Sequence, residues 1–243
     1  MIANITSSSM DKLGMANHHL WSWLNQTSLG QYTLTHETCF FQHALKGVYA
    51  PVLVQMSLPA WQIATSHNVI KIEHDVMMHP QALAWATESI HALLMPHVLE
   101  YCTEPEQVLR EAWRVLQPEG KLILTSFNPH SLWGYTGILD GKTLPKREQC
   151  WSFLQMKHQL TDMGWTIGHK KFMVYIPWMP LANIKHWYFM EAVGKRWWTY
   201  AAAVYGLVLY KRPAGMRPLN EWQNMFINTE AIALGTAKQP YHP

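Results

Sequence analysis

Residues 95–134 read MPHVLEYCTEPEQVLREAWRVLQPEGKLILTSFNPHSLWG, and their pattern sets the expectation for the whole chain. Val108, Leu109, Ala112, Trp113 and Leu116 recur at three- and four-residue spacing, which predicts one buried helical stripe. Thr103 is the expected N-cap, with Glu106 three residues on to close a capping box. Pro105 falls in the first turn, where its missing N–H costs nothing. Glu106 and Arg110 form an i,i+4 pair on the wet side. Pro118 and Gly120 are expected to stop the helix, and residues 121–127, KLILTSF, to form a strand that Asn128-Pro129 ends.

Similar signals lie on both sides. Residues 1–20 are polar and are expected to be loose, and 21–46 to be helical with a break at Leu29-Gly30. Short apolar runs at 52–56, 68–73 and 89–95 predict strands. Further on, 152–163 predicts a helix closed by Gly164, and 165–175 and 204–211 predict strands around a helix at 181–196. From 213 to 243 the chain is rich in Pro, Gly and polar residues and is expected to be an extended tail. The reading is one domain over 21–212, in which strand and helix alternate. Such alternation predicts an α/β fold with a mostly parallel sheet that binds ligands at the carboxyl ends of its strands.

Composition excludes several classes. The chain is 49% hydrophobic and 14% charged, too apolar for disorder. A net charge of +3 is too mild to argue for nucleic acid. Cys39, Cys102 and Cys150 are far apart and read as free thiols. The start MIANITSSSMDKLG has no signal-peptide pattern, so a cytoplasmic location is expected. Fourteen histidines are scattered without H-E-x-x-H or a Cys/His cluster, and no metal site is expected. WWTYAAAVYGLVLY, at 197–210, is too short to span a bilayer. It reads as a buried strand or, through its tryptophans and flanking Lys-Arg pairs, as a peripheral membrane contact.

The opening block, with His97-Val98-Leu99-Glu100, Glu104-Pro105, Arg114-Val115-Leu116, Pro118 and Gly120, resembles the second half of class I S-adenosylmethionine-dependent methyltransferases of the type 11 group. The following FNPHSLWG resembles a narrower proteobacterial methyltransferase-like subgroup. The resemblance implies a three-layer, Rossmann-like, seven-stranded sheet with a C-terminal antiparallel hairpin, and S-adenosylmethionine as cofactor. It also sets PVLVQMSLPAW, at 51–61, where the family carries a strand ending in G-x-G. Ser57 and Pro59 stand at the glycine positions, and Leu58 and Trp61 add bulk beside the methionine end of the cofactor. The central region is shorter than in the family, so 69–73 is either strand two, ending in Glu73 as a ribose ligand, or strand three.

Candidate site residues follow from that alignment. Gln55, Met56, Ser57, Leu58, Glu73, His79, Met95 and Pro96 would line the cofactor. His79 stands where the family has an aspartate near the adenine amino group, and a neutral imidazole still accepts one hydrogen bond. His97 is the candidate general base, or else a loop-ordering residue. Asn128 orients substrate or makes a turn, and Trp133 walls the pocket or anchors the core. The expected function is methyl transfer to a small or apolar acceptor, with a non-catalytic, partner- or metabolite-binding role as the alternative.

Overall fold

A computed structural model describes residues 2–63, 68–177 and 189–212, with side chains described from residue 14 on. Six strands among these residues form one sheet in the order β2-β1-β3-β4-β6-β5. The strands are β1 (Leu53–Gln55), β2 (Val69–Lys71), β3 (Ile90–Pro96), β4 (Leu116–Phe127), β5 (Trp165–Met173) and β6 (Val204–Lys211). β2, β1, β3 and β4 run parallel, and β6 pairs antiparallel with both β4 and β5. The expected α/β architecture and its closing antiparallel hairpin are therefore present. The sheet has six strands among the described residues where the resemblance implied seven. β2 pairs directly with β1, which gives 69–73 the place of strand two.

Two apolar layers cover the sheet, as alternation along each strand requires. On one face α3 (Pro105–Val115) and α5 (Phe153–Asp162) bring Val108, Leu109, Met156 and Leu160 against Val54, Leu93, Leu122 and Leu124. On the other, α1 (Ile2–Gln26) and α2 (Ser28–Leu45) pack Leu20, Trp23, Phe40 and Phe41 against Leu53, Leu94, Ile123 and Val208. Among the described residues no helix joins β1 to β2 or β2 to β3. The N-terminal helix pair takes the layer that crossover helices would fill.

Several local expectations need correction. Residues 2–20 belong to α1 rather than to a loose end. The α1–α2 break falls at Thr27, whose Oγ1 caps α2 by accepting the Gly30 N–H at 2.9 Å. The N-cap of α3 is Glu104, with no side-chain cap, because Pro105 already holds the first helical position. Thr103 Oγ1 instead accepts from Gln81 Nε2 at 3.4 Å. α3 ends at Val115 and β4 starts at once. Gln117 precedes Pro118 and is driven to extended backbone, so Pro118 and Gly120 lie inside the strand rather than before it. The Glu106–Arg110 pair forms at 3.6 Å on the exposed side. The expected helix at 181–196 is described only as α6 (Phe189–Trp197). Its first part and the expected tail at 213–243 lie outside the described residues.

One glycine fixes how closely α2 approaches the sheet. A Cβ on Gly206, in β6, would stand 2.5 Å from Phe40 Cε1. Gly206→Val is expected to destabilise the fold by about 1–3 kcal/mol through overpacking, read as a lower urea midpoint at unchanged slope.

Candidate functional site

The carboxyl ends of β1, β2 and β3 meet at one edge of the sheet, and each is followed by left-handed backbone. Ser57 and Leu58 have φ of 68° and 47°, Glu73 of 71° and His97 of 50°. Such conformations cost non-glycine residues about 1–2 kcal/mol each, and strain of this kind concentrates at functional edges. The turn after β1 thus keeps a backbone suited to glycine while carrying side chains.

Those side chains are held by the N-terminal helices. Ser57 Oγ donates to Asn17 Oδ1 at 2.6 Å, and Asn17 Nδ2 donates to Glu73 Oε2 at 2.8 Å. The carboxamide of α1 therefore bridges the ends of β1 and β2. Burial raises the Glu73 carboxyl above its ordinary pKa, against the hydrogen bond from Asn17. Gln55 turns its amide into the loop, where Nε2 donates to the carbonyls of Leu58 and Trp61 at 2.9 and 3.0 Å. Pro59 offers its carbonyl to Lys71 Nζ at 2.6 Å. Leu58 and Trp61 belong to the core on the α1–α2 face, and the Trp61 ring meets Phe41 edge-on at 5.7 Å. Their bulk thus fills the core, where the sequence placed it beside the cofactor. Met56 and Met95 belong to the opposite core, and Pro96 closes the pairing of β3 with β4.

The second feature is a buried charge cluster. His97 Nε2 lies 2.7 Å from Glu37 Oε1 of α2, and its Nδ1 lies 3.2 Å from Glu100 Oε1. All three residues are at most 1% exposed. Glu100 Oε1 also accepts the Phe127 N–H at 2.7 Å, and the Phe127 ring stacks on the imidazole at 4.1 Å. Burial works against a charged imidazole here, but the Glu37 charge and the hydrogen bonds to Glu100 and Glu37 outweigh it and raise the pKa to about 10. An imidazolium donating from both nitrogens has no lone pair for a substrate proton. The base role expected of His97 therefore gives way to an ordering role. Cys102, likewise, is pushed up to about 12, by burial first and then by nearby carboxylates, and is a poor nucleophile.

The remaining candidates are engaged elsewhere. Asn128 Nδ2 donates to the Tyr200 and Ala202 carbonyls at 2.8 and 2.9 Å, and its Oδ1 accepts the His130 N–H at 3.1 Å. It orders a turn rather than a substrate. Trp133 is 1% exposed, donates to the Ile176 carbonyl at 2.8 Å and meets Trp23 edge-on, which makes it a core anchor. His79 Nδ1 accepts the Gln81 N–H at 3.2 Å within its own turn, and burial lowers its pKa. The sequence reading missed Asn17 and Glu37. The signal for Glu37 was its place on the buried stripe with Leu29, Thr33, Phe40 and Phe41, where a carboxylate needs a partner.

Four side chains at or against this edge carry a buried polar atom without a hydrogen-bond partner: Glu37 Oε2, Gln55 Oε1, Glu100 Oε2 and Thr125 Oγ1. Buried polar groups are normally satisfied, so a polar ligand suits this edge.

Residues 42–124 match the family model of the methyltransferase domain. The matched segment runs from the end of α2 into β4 and includes Ser57, Glu73, His97 and Glu100, but not Asn17 or Glu37. The chain is also 30% identical, over 105 residues, to the uncharacterized protein YafS of Escherichia coli (strain K12). That alignment covers 42% of this chain and 44% of YafS, less than half the length of that relative. Among solved structures, a chain of the Haloferax volcanii complex containing the Trm112 methyltransferase activator superposes with a TM-score of 0.53 at 13% identity, covering 78% of this chain and 96% of that one. An Archaeoglobus fulgidus SAM-dependent methyltransferase superposes at 0.51 with 10% identity, covering 80% and 99%. At such identities the structural likeness speaks for the fold. The methyltransferase-domain match covers residues 42–124, about a third of the chain.

The His97 pKa gives a pH dependence of fixed sign. A folded pKa near 10 against an ordinary 6.5 contributes stability that is complete below 6.5 and lost as pH rises through 10. Urea unfolding should therefore show stability falling across that window. Glu37→Gln should start about 3 kcal/mol less stable, since it breaks a buried pair, and should show a shallower fall.

Proposed function

We propose that the chain is an S-adenosylmethionine-dependent methyltransferase acting on a small or apolar acceptor, seen with its cofactor edge closed by α1. The observation that carries this reading is the Asn17 bridge. An amide donates to the Glu73 carboxylate at the end of strand two, where a ribose hydroxyl would donate, beside a turn that holds glycine-type backbone at Ser57 and Leu58. The unpartnered oxygens of Glu37, Glu100 and Gln55 supply acceptors close to the same edge. When bound, the cofactor supplies a sulfonium methyl for in-line displacement. The chain's part is to hold and orient: Glu73 for the ribose, the Ser57–Leu58 turn for the main-chain approach, and the His97 cluster to keep the ends of β3 and β4 fixed. Little else is needed where alignment supplies most of the catalysis. A cytoplasmic setting agrees with the free thiols Cys39, Cys102 and Cys150.

A second reading, a non-catalytic methyltransferase-like protein, has its own observation in support. His97, Asn128 and Trp133, the three groups nearest to catalytic or substrate roles, all have structural work. Calorimetry with S-adenosylmethionine addresses both readings. Asn17→Ala removes the competing amide and should tighten binding roughly tenfold, the worth of a hydrogen bond to a charged group. Absence of heat in both proteins overturns the first reading. Binding without methyl transfer to any small or apolar acceptor favours the second.

A further inference from the structure

A surface on the C-terminal side remains unused by methyl transfer. α6 ends in Lys195, Arg196 and Trp197, and Trp198 and Tyr200 follow. The three aromatic residues are 73%, 56% and 58% exposed, and Tyr135 of α4 (Leu132–Tyr135) is 65% exposed. Between α4 and α6 lies a cavity of about 260 Å³ lined by Leu132, Tyr135, Met190, Trp198 and Ala201, with His130 at its side.

The exposed charges of α6 are cationic. Lys195 and Arg196 are exposed on the last turn of α6. The Arg147 guanidinium lies 4.6 Å from the Tyr135 ring centre, and Lys170 Nζ lies 5.9 Å from that of Tyr200. The acid of α6, Glu191, is 8% exposed; its Oε1 accepts the Tyr175 N–H at 2.8 Å and its Oε2 lies 3.7 Å from Lys195 Nζ. Aromatic rings with an apolar body and a polar tip, rimmed by cations, suit the boundary between lipid headgroups and acyl chains. Among the described residues no helix is long and apolar enough to cross a membrane, so the contact is lateral.

We propose that this face docks on a bilayer containing anionic phospholipid, with Trp197, Trp198 and Tyr200 seated at the interface and Lys195 and Arg196 on the headgroups. The face is tied to the carboxyl end of β4, because Asn128 Nδ2 bonds the Tyr200 and Ala202 carbonyls. Docking therefore sets the reactive edge of the sheet near the source of an apolar molecule. The docking itself does not depend on methyl transfer.

The test is sedimentation of the full chain with vesicles of phosphatidylcholine alone and of phosphatidylcholine mixed with phosphatidylglycerol. The protein is expected to sediment with the mixed vesicles and to be released by salt. Each cation near an anionic surface is worth roughly fivefold in binding, so Lys195→Gln with Arg196→Gln should weaken it by more than tenfold. Trp197→Ala with Trp198→Ala should weaken it comparably and abolish the blue shift of tryptophan fluorescence. These residues are exposed, and an unchanged thermal midpoint identifies a folded variant. Failure to bind the mixed vesicles at low salt overturns the proposal, as does undiminished binding by both variants. A dimer broken by the tryptophan substitutions, without vesicle binding, assigns the face to a second copy and overturns it as well.

Discussion

The Glu37–His97–Glu100 cluster is the constraint on which the upper edge of the sheet depends. Two carboxylates and one imidazolium sit in a region without solvent, so each charge is tolerable only while the others stay in place. One carboxylate comes from α2 and the other from the 3-10 turn after β3, and the latter also takes the amide of Phe127 at the end of β4. A helix from the start of the chain is thereby joined to two adjacent central strands. The left-handed backbone at His97 persists because the surrounding bonds over-determine it.

The same helix pair explains the unusual edge at β1 and β2. Among the described residues no helix lies between β1 and β2 or between β2 and β3, and the apolar residues there need cover. Leu58, Trp61 and Ile63 find it against α2, with Trp61 Nε1 donating to Thr38 Oγ1 at 3.2 Å. Once α1 and α2 lie there, Asn17 reaches the gap between Ser57 and Glu73. The Asn17 bridge between Ser57 and Glu73 thus follows from how this face of the sheet is covered.

Much of the fold was legible because apolar periodicity marks α3, β4, α5, β5 and β6, although the stop expected at Pro118 and Gly120 falls inside β4. The α3 stripe, the Gly164 stop with φ of 89°, and the continuous burial of β6 all lie where local chemistry points. The N-terminal helix was not legible, since residues 1–20 are polar enough to read as loop. The site was legible only as a location. Ser57, Glu73 and His97 do gather at the predicted edge, but what they touch comes from α1 and α2, tens of residues away in sequence. No local pattern reports that Asn17 meets Ser57, or that His97 meets Glu37. Asn128 and Trp133 were legible only as pairs of alternatives, because a residue at a strand end looks the same whether it faces a ligand or a carbonyl of a later segment.

The fit of Phe40 against Gly206 carries a consequence for assembly of the chain. The apolar side of the first two helices finds its seat on a strand near the other end of the described chain. During synthesis those helices emerge long before their platform is complete, and Phe40 stays without its final seat until β6 has been made. Contacts spanning so much sequence slow folding, so this protein should mature late and rely on protection of its leading segment in the interval.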